Sequence, residues 1–320
     1  MPLALDPEFA KVLEPLLPTL ANAPKVAVGD VAGRRQALDI FFGPVYHAYP
    51  DPDEVAEEKY HVKSSDGFEV PIYRFIKKGT PTTGSVSAVY YVHGGGFIAM
   101  DVAIYRKKIK DLVSRSGVQI FTPDFRLAPE APYPLPIEDI WAGLQDLSRN
   151  ATKYGVDPAR IAIMGDSGGG GLAAGLGLKA RDEGLSPPLA KQILVYPMVD
   201  DRNTKPIKAL EPFATWTTDD NITGWQAYLS GKAGAPDVPY YAAAARVPSV
   251  EGLPPTYIDV GDLDIFRDED IEYARRIAAA NIQTELHVYP GVPHGFDLVA
   301  KDISATVNAM ANRVRAIQSI

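Results

Sequence analysis

The feature that most restricts the fold of this chain is a change of rhythm near residue 85, after which short apolar runs alternate with helix-period segments. Val86–Val92, Val118–Thr122, Arg160–Met164, Gln192–Tyr196, Thr256–Val260 and Glu285–Tyr289 read as strands. Segments near 104–115, 137–150, 168–183, 268–280 and 302–317 read as helices. Strands separated by helices pair in parallel through crossovers, and runs without polar alternation belong in a sheet covered on both faces. Ahead of them, Tyr60–Lys63 and Phe68–Ile76 flank the turn Ser64-Ser65-Asp66-Gly67, an antiparallel hairpin. The expectation is an α/β fold: a mostly parallel eight-stranded sheet with helices on both faces.

Two intervals depart from that rhythm. Up to Pro50 there is scattered helical pattern and no strand. Asp6-Pro7-Glu8 is a helix-start signal, followed by Phe9, Val12, Leu13, Leu16 and Leu17 at helical spacing, with Pro15 and Pro18 shortening or kinking the helix. Residues 1–50 are therefore expected as an N-terminal helical cap on a domain of residues 51–320. Residues 201–252 carry Trp216, Trp225, Tyr228, Tyr240 and Tyr241 among prolines without a clear strand, which suggests a helical insertion over one end of the sheet. The 320 residues, 46% hydrophobic and 22% charged, can bury roughly three quarters of their unfolded surface around such a sheet.

Charge and cysteine count narrow the function classes. A net charge of −8 repels phosphate backbones, so nucleic acid is not an expected partner. With no cysteine, disulfides, thiolate nucleophiles and cysteine metal sites are excluded. No apolar run reaches membrane-span length, and the first twenty residues carry Asp6, Glu8 and Glu14 in place of a basic leader, so a cytoplasmic location is expected.

Chemistry concentrates where Ile161-Ala162-Ile163-Met164 runs into Gly165-Asp166-Ser167-Gly168-Gly169. This is G-x-S-x-G between a strand and a helix, a pattern that exposes a serine hydroxyl on a strained turn and aims the helix N-terminus at the reacting oxygen. The Gly168 amide is then a natural oxyanion donor. Gly168, Gly170 and Ala173 also spell a weak dinucleotide fingerprint, but the acidic residue such a site needs about twenty residues on is missing. A serine nucleophile needs a base, and the five histidines are His47, His61, His93, His287 and His294. His294 is the best placed, in a loop just beyond the last strand, whereas His287 lies within that strand as a structural side chain. The acid should leave a strand between the serine and that histidine. Gly261-Asp262-Leu263-Asp264 follows such a strand, with Asp259 on the strand itself and Asp268, Glu269 and Asp270 decorating a helix start. That leaves Asp262 and Asp264. Finally, Val92-His93-Gly94-Gly95-Gly96-Phe97 supplies three glycines where backbone amides can approach an anionic oxygen.

His93-Gly94-Gly95-Gly96-Phe97, Asp124-Phe125-Arg126-Leu127-Ala128-Pro129-Glu130, Gly165-Asp166-Ser167-Gly168-Gly169, Asp264-Ile265-Phe266-Arg267-Asp268-Glu269 and His294-Gly295-Phe296 together make the chain resemble the hormone-sensitive-lipase-like carboxylesterases of the α/β-hydrolase superfamily. The resemblance implies that fold, with residues 1–50 and 201–252 forming a helical cap over the site. It implies Ser167 as nucleophile, Asp264 as acid and His294 as base, amides of Gly95, Gly96 and Gly168 as the oxyanion hole, and His93 bracing its loop. It further implies hydrolysis of small-molecule, short-chain carboxylic esters without cofactor or metal, and dimers through the last strand. An arylformamidase or lactonase would use the same triad, and a non-catalytic receptor on this fold would typically have lost His294. Where the family usually has alanine after the nucleophile this chain has Gly168, and where it often has tyrosine this chain has Phe125.

Overall fold

The computed structural model describes residues 3–17, 25–81 and 85–320. Its framework is an eight-stranded sheet: β1 (Val55–Lys63), β2 (Glu69–Lys77), β3 (Val86–Val92), β4 (Gln119–Pro123), β5 (Val156–Asp166), β6 (Lys191–Val195), β7 (Thr256–Gly261) and β8 (Thr284–Tyr289). The order across the sheet is β1-β2-β4-β3-β5-β6-β7-β8. β1 and β2 form the expected hairpin, β2 runs antiparallel to β4, and every pairing from β4 through β3 to β8 is parallel.

The helices are α1 (Pro7–Leu13), α2 (Val31–His47), α3 (Val102–Ser116), α4 (Leu135–Arg149), α5 (Gly168–Asp182), α6 (Thr218–Tyr228), α7 (Arg267–Ala279), the single turn α8 (Phe296–Val299) and α9 (Ser304–Gln318). α3 packs with α9 and α4 packs with α5, while α7 covers β7 and β8. Asp6 caps α1 as the sequence implies, accepting the Glu8 and Phe9 amides at 2.8 and 3.0 Å. A 3₁₀ turn at Glu14–Leu16 follows at Pro15, and Pro18 lies outside the described residues. Asp101 caps α3 through the Ile104 amide at 2.8 Å. None of the described helices is long and apolar enough to cross a membrane.

Expected helix boundaries fall within two residues of those observed, whereas two strands start well before the pattern indicated. β1 begins at Val55, not Tyr60, because Glu57, Glu58 and Lys59 lie on an edge strand that water reaches. β5 begins at Val156, not Arg160, because Pro158 in its exposed first half reads as a break. Residues 201–252 contain α6 and two short 3₁₀ turns, with no strand among these described residues.

One core cluster runs through the sheet from β1 to β7, and a second, smaller one gathers Phe9, Tyr289, Val292 and Phe296 beside β8. β3 is buried from Ser87 to Val92, and β5 from Ile161 to Asp166. β3 and β5 therefore cannot shift without disrupting packing on both faces. They end side by side at the sheet's C-terminal edge, with Val92 paired to Gly165. This pairing sets the loop after β3 beside the turn after β5.

Candidate active site

Ser167 joins β5 to α5 with φ +55° and ψ −125°. A side chain with a Cβ is strained there, and such strain persists only where the surroundings enforce it. Here the Ser167 amide donates to the Val195 carbonyl at 2.9 Å, and its carbonyl accepts from Gly171 and Met198, each at 3.0 Å. The hydroxyl is thereby carried off the strand edge toward His294, with Oγ 2.9 Å from Nε2. On the far side of the ring, Nδ1 lies 2.6 Å from Oδ2 of Asp264. A carboxylate only accepts, so the Nδ1 proton points to Asp264 and Nε2 is left to accept from the serine. Asp264 is buried, its other oxygen accepting the Phe266 amide at 2.9 Å. Tyr196 and Phe266 meet the imidazole edge to face, with centroids 4.6 and 5.0 Å away, and fix its plane.

Of the two carboxylates that spacing left open, Asp264 reaches the histidine and Asp262 does not. Asp262 accepts the Gly291 amide at 2.6 Å and holds the loop that leads to His294. The other histidines lie elsewhere. His47 ends α2, His61 is on β1, and His287 sits in β8 with Nε2 2.5 Å from Glu285. His93 is buried, stacked on Phe125 at 4.4 Å, with Nδ1 2.9 Å from the Gly94 carbonyl. Burial pushes its pKa down, so it stays a neutral packing element of the glycine loop.

That loop turns tightly, the Gly95 carbonyl accepting from Ile98 and Ala99 at 3.1 and 3.0 Å. Gly95 has φ +121°, and a Cβ there would lie 2.0 Å from the Ala99 oxygen, so only glycine fits. The amides of Gly95 and Gly96 have no acceptor among the described residues. Gly168 is the first residue of α5, where helix amides point outward unpaired. A Cβ on Gly168 would lie 2.9 Å from both the Gly96 and Phe97 nitrogens. The glycine loop therefore packs directly against the bare α-carbon of Gly168. Gly168→Ala must push that loop away, and kcat on a short ester is expected to fall about tenfold with the fold retained. Unchanged steady-state kinetics would contradict it.

Several charged residues around the site gave no clear signal in the sequence. Asp166 is buried, accepting from Tyr91 and Tyr105 hydroxyls at 2.7 and 2.9 Å and from Lys108 at 3.0 Å. The Tyr105 oxygen in turn accepts the Gly94 amide at 3.1 Å, tying the serine turn to the glycine loop. Behind His294, buried Arg313 grips Asp259 through two bonds of 2.7 and 2.8 Å and Asp297 through one of 2.6 Å. The Tyr196 hydroxyl donates to Asp297 at 2.9 Å. Burial alone would raise the Asp297 pKa, but the positive charges of Arg313 and Lys108 hold it at about 2.

The acidic run at the start of α7 does more than decorate a helix end. Asp268 is exposed, but Glu269 accepts the Val199 and Asp200 amides at 2.8 and 3.1 Å and the Asn203 side chain at 2.8 Å. Asp270 is fully buried, and neither carboxyl oxygen has a partner among the described residues. Burial, reinforced by nearby Glu269, Asp264 and Asp259, pushes its pKa well above the usual carboxylate range. The folded protein therefore keeps a proton that the unfolded chain releases above about pH 4. The resulting stability is complete below that pH and is lost as pH rises toward the folded value. Asp270→Asn, uncharged throughout, is expected to raise Tm more at pH 8 than at pH 5. Thermal melts at the two pH values check this, and a lower Tm at pH 8 would contradict it.

Ser167 and His294 open on a narrow cavity of about 50 Å³, walled by Leu38, Phe42, Tyr46, Met100, Trp216 and Leu298. It has room for a few water molecules and is mostly apolar. Trp225 and Tyr228, by contrast, are fully buried against Phe97 and serve as packing for the insertion.

Both the sequence and the fold have relatives among known proteins. Residues 89–298 match a family described as alpha/beta hydrolase fold. Esterase LipI of Mycobacterium tuberculosis is 31% identical over 75% of this chain and 75% of its own. Carboxylesterase NlhH of the same organism is 31% identical over 73% of this chain and 74% of its own. Among solved structures, a bacterial heroin esterase superposes with a TM-score of 0.87 at 35% identity, covering 99% of this chain and 98% of that one. On the strength of a family match over most of its length, joined to the similarity to esterases in sequence and in fold, the chain belongs to the α/β-hydrolase superfamily and to its hormone-sensitive-lipase-like carboxylesterases.

Proposed function

We propose that the protein is a serine carboxylesterase for small-molecule, short-chain esters, with Ser167, His294 and Asp264 as its triad. The observation that carries the reading is the unbroken chain from hydroxyl to imidazole to buried carboxylate, 2.9 and 2.6 Å long, beside amides without acceptors. Ser167 Oγ attacks the ester carbonyl as His294 Nε2 takes its proton, and Asp264 stabilises the imidazolium. The developing oxyanion accepts from the amides of Gly95, Gly96 and Gly168, each worth about 3 kcal/mol in the transition state. His294 returns the proton to the leaving alcohol. Water, activated by the same nitrogen, then releases the acyl group from Ser167.

Residues 1–50 and 201–252 act as the cap in this reading, since Leu38, Phe42, Tyr46 and Trp216 line the cavity over a site carried by residues 51–320. His93 braces the oxyanion loop. At one edge of the sheet, β8 leaves Leu286 and Val288 partly exposed, which supports pairing of two copies along that strand. Kinetics on p-nitrophenyl acetate and butyrate, an aryl formamide and a simple lactone test the assignment. The esters are expected to give the highest kcat/KM, and a preference for formamide or lactone would overturn the ester assignment.

A further inference from the structure

Trp216 separates two cavities. On one side is the narrow space at Ser167. On the other is a mainly apolar space of about 360 Å³ between α2 and residues 214–216, bordered by Leu13, Val26, Phe41 and Ala214 and, on one side, by the ion pair of Arg34 with Asp220. Leu38, Phe42, Thr215 and Trp216 belong to both walls. The indole ring lies so close over Gly96 that a Cβ there would come 2.4 Å from its Cη2. The inner space therefore ends on this ring, directly beside the oxyanion loop.

The backbone on either side of the ring is fixed. The Thr215 hydroxyl donates to the His294 carbonyl at 2.5 Å. Thr217 caps α6, its amide and hydroxyl donating to Asp220 at 2.8 and 2.7 Å. The indole N–H, in contrast, is buried with no hydrogen-bond partner among the described residues. Moving or removing the ring breaks no protein hydrogen bond and joins the two spaces, while the anchors at Thr215 and Thr217 stay in place.

We propose that Trp216 is the partition that sets substrate length: it leaves the inner space room for only a short arm of the reacting ester, and its removal admits an extended apolar chain into the outer chamber. This rests on the serine-esterase reading of Ser167 and adds to it the residue that decides chain length. Each methylene that gains an apolar contact is worth a few-fold in kcat/KM, so a chain of several carbons entering the chamber gives a large change in selectivity.

The experiment measures kcat/KM for p-nitrophenyl acetate, butyrate, octanoate and laurate, and for a matching series of n-alkyl acetates, with wild type, Trp216→Ala and Trp216→Leu. The octanoate-to-acetate ratio, or its counterpart in the alkyl series, is expected to rise at least about tenfold in the variants. Whichever series responds identifies the arm of the ester that passes the ring. Adding Ala214→Phe, which narrows the outer chamber beside residue 216, is expected to return the ratio toward wild type. The proposal is overturned if both Trp216 variants fold, turn over acetate and keep the wild-type profile, or if Ala214→Phe leaves the gain untouched. A wild type that hydrolyses none of these esters would instead refute the esterase reading, and the partition with it.

Discussion

Ser167→Ala is expected to lower kcat for p-nitrophenyl butyrate by about 10⁶ while leaving Tm unchanged. The size follows from losing the atom proposed to form the acyl-enzyme. The unchanged stability follows from the backbone: alanine at φ +55° carries the same strain as serine, and the bonds to Val195, Gly171 and Met198 involve main-chain atoms alone. A companion Ser167→Gly should be equally inactive but more stable, because glycine adopts this conformation without strain. Steady-state kinetics and thermal melts on the two variants separate chemistry from folding. Alanine-variant activity within tenfold of wild type would remove Ser167 from the mechanism.

Asp264→Asn is expected to lower kcat by about 10⁴. An asparagine that turns its NH₂ toward Nδ1 forces that nitrogen to accept, so the ring proton moves to Nε2 and faces Ser167, which then has no base. Asp262→Asn disturbs only the hold on the Gly291 amide and should lose about tenfold or less. The contrast matters because the two carboxylates are two residues apart and both leave the same strand. A larger loss at Asp262 would show that the 2.6 Å contact between Asp264 and His294 is not the one used in catalysis.

Much of this could be read from the sequence. The sheet was legible because buried parallel strands are continuous apolar runs, and the serine turn because its glycines sit where β5 meets α5. His294 stood out by its place beyond the last strand, and the structure sets it 2.9 Å from Ser167. The choice between Asp262 and Asp264 was not fixed by spacing, since both follow β7 and only the direction of each side chain separates them. The network of Asp259, Asp297 and Arg313 was invisible for a different reason: its members are distant in sequence, and an isolated charged residue ordinarily means an exposed one. A faint signal existed, because Arg313 lies among Ala309, Ala316 and Ile317 on the buried stripe of α9. Asp270 was misjudged likewise, as acidic residues in a first helical turn usually face water.

The most direct test of the central claim is covalent capture of the nucleophile. Incubation with diethyl p-nitrophenyl phosphate, followed by intact-mass analysis and peptide mapping, is expected to show one diethylphosphoryl group per chain, on Ser167, appearing in step with loss of esterase activity. Full loss of activity with the label on another residue, or no label at all in an active enzyme, would contradict it.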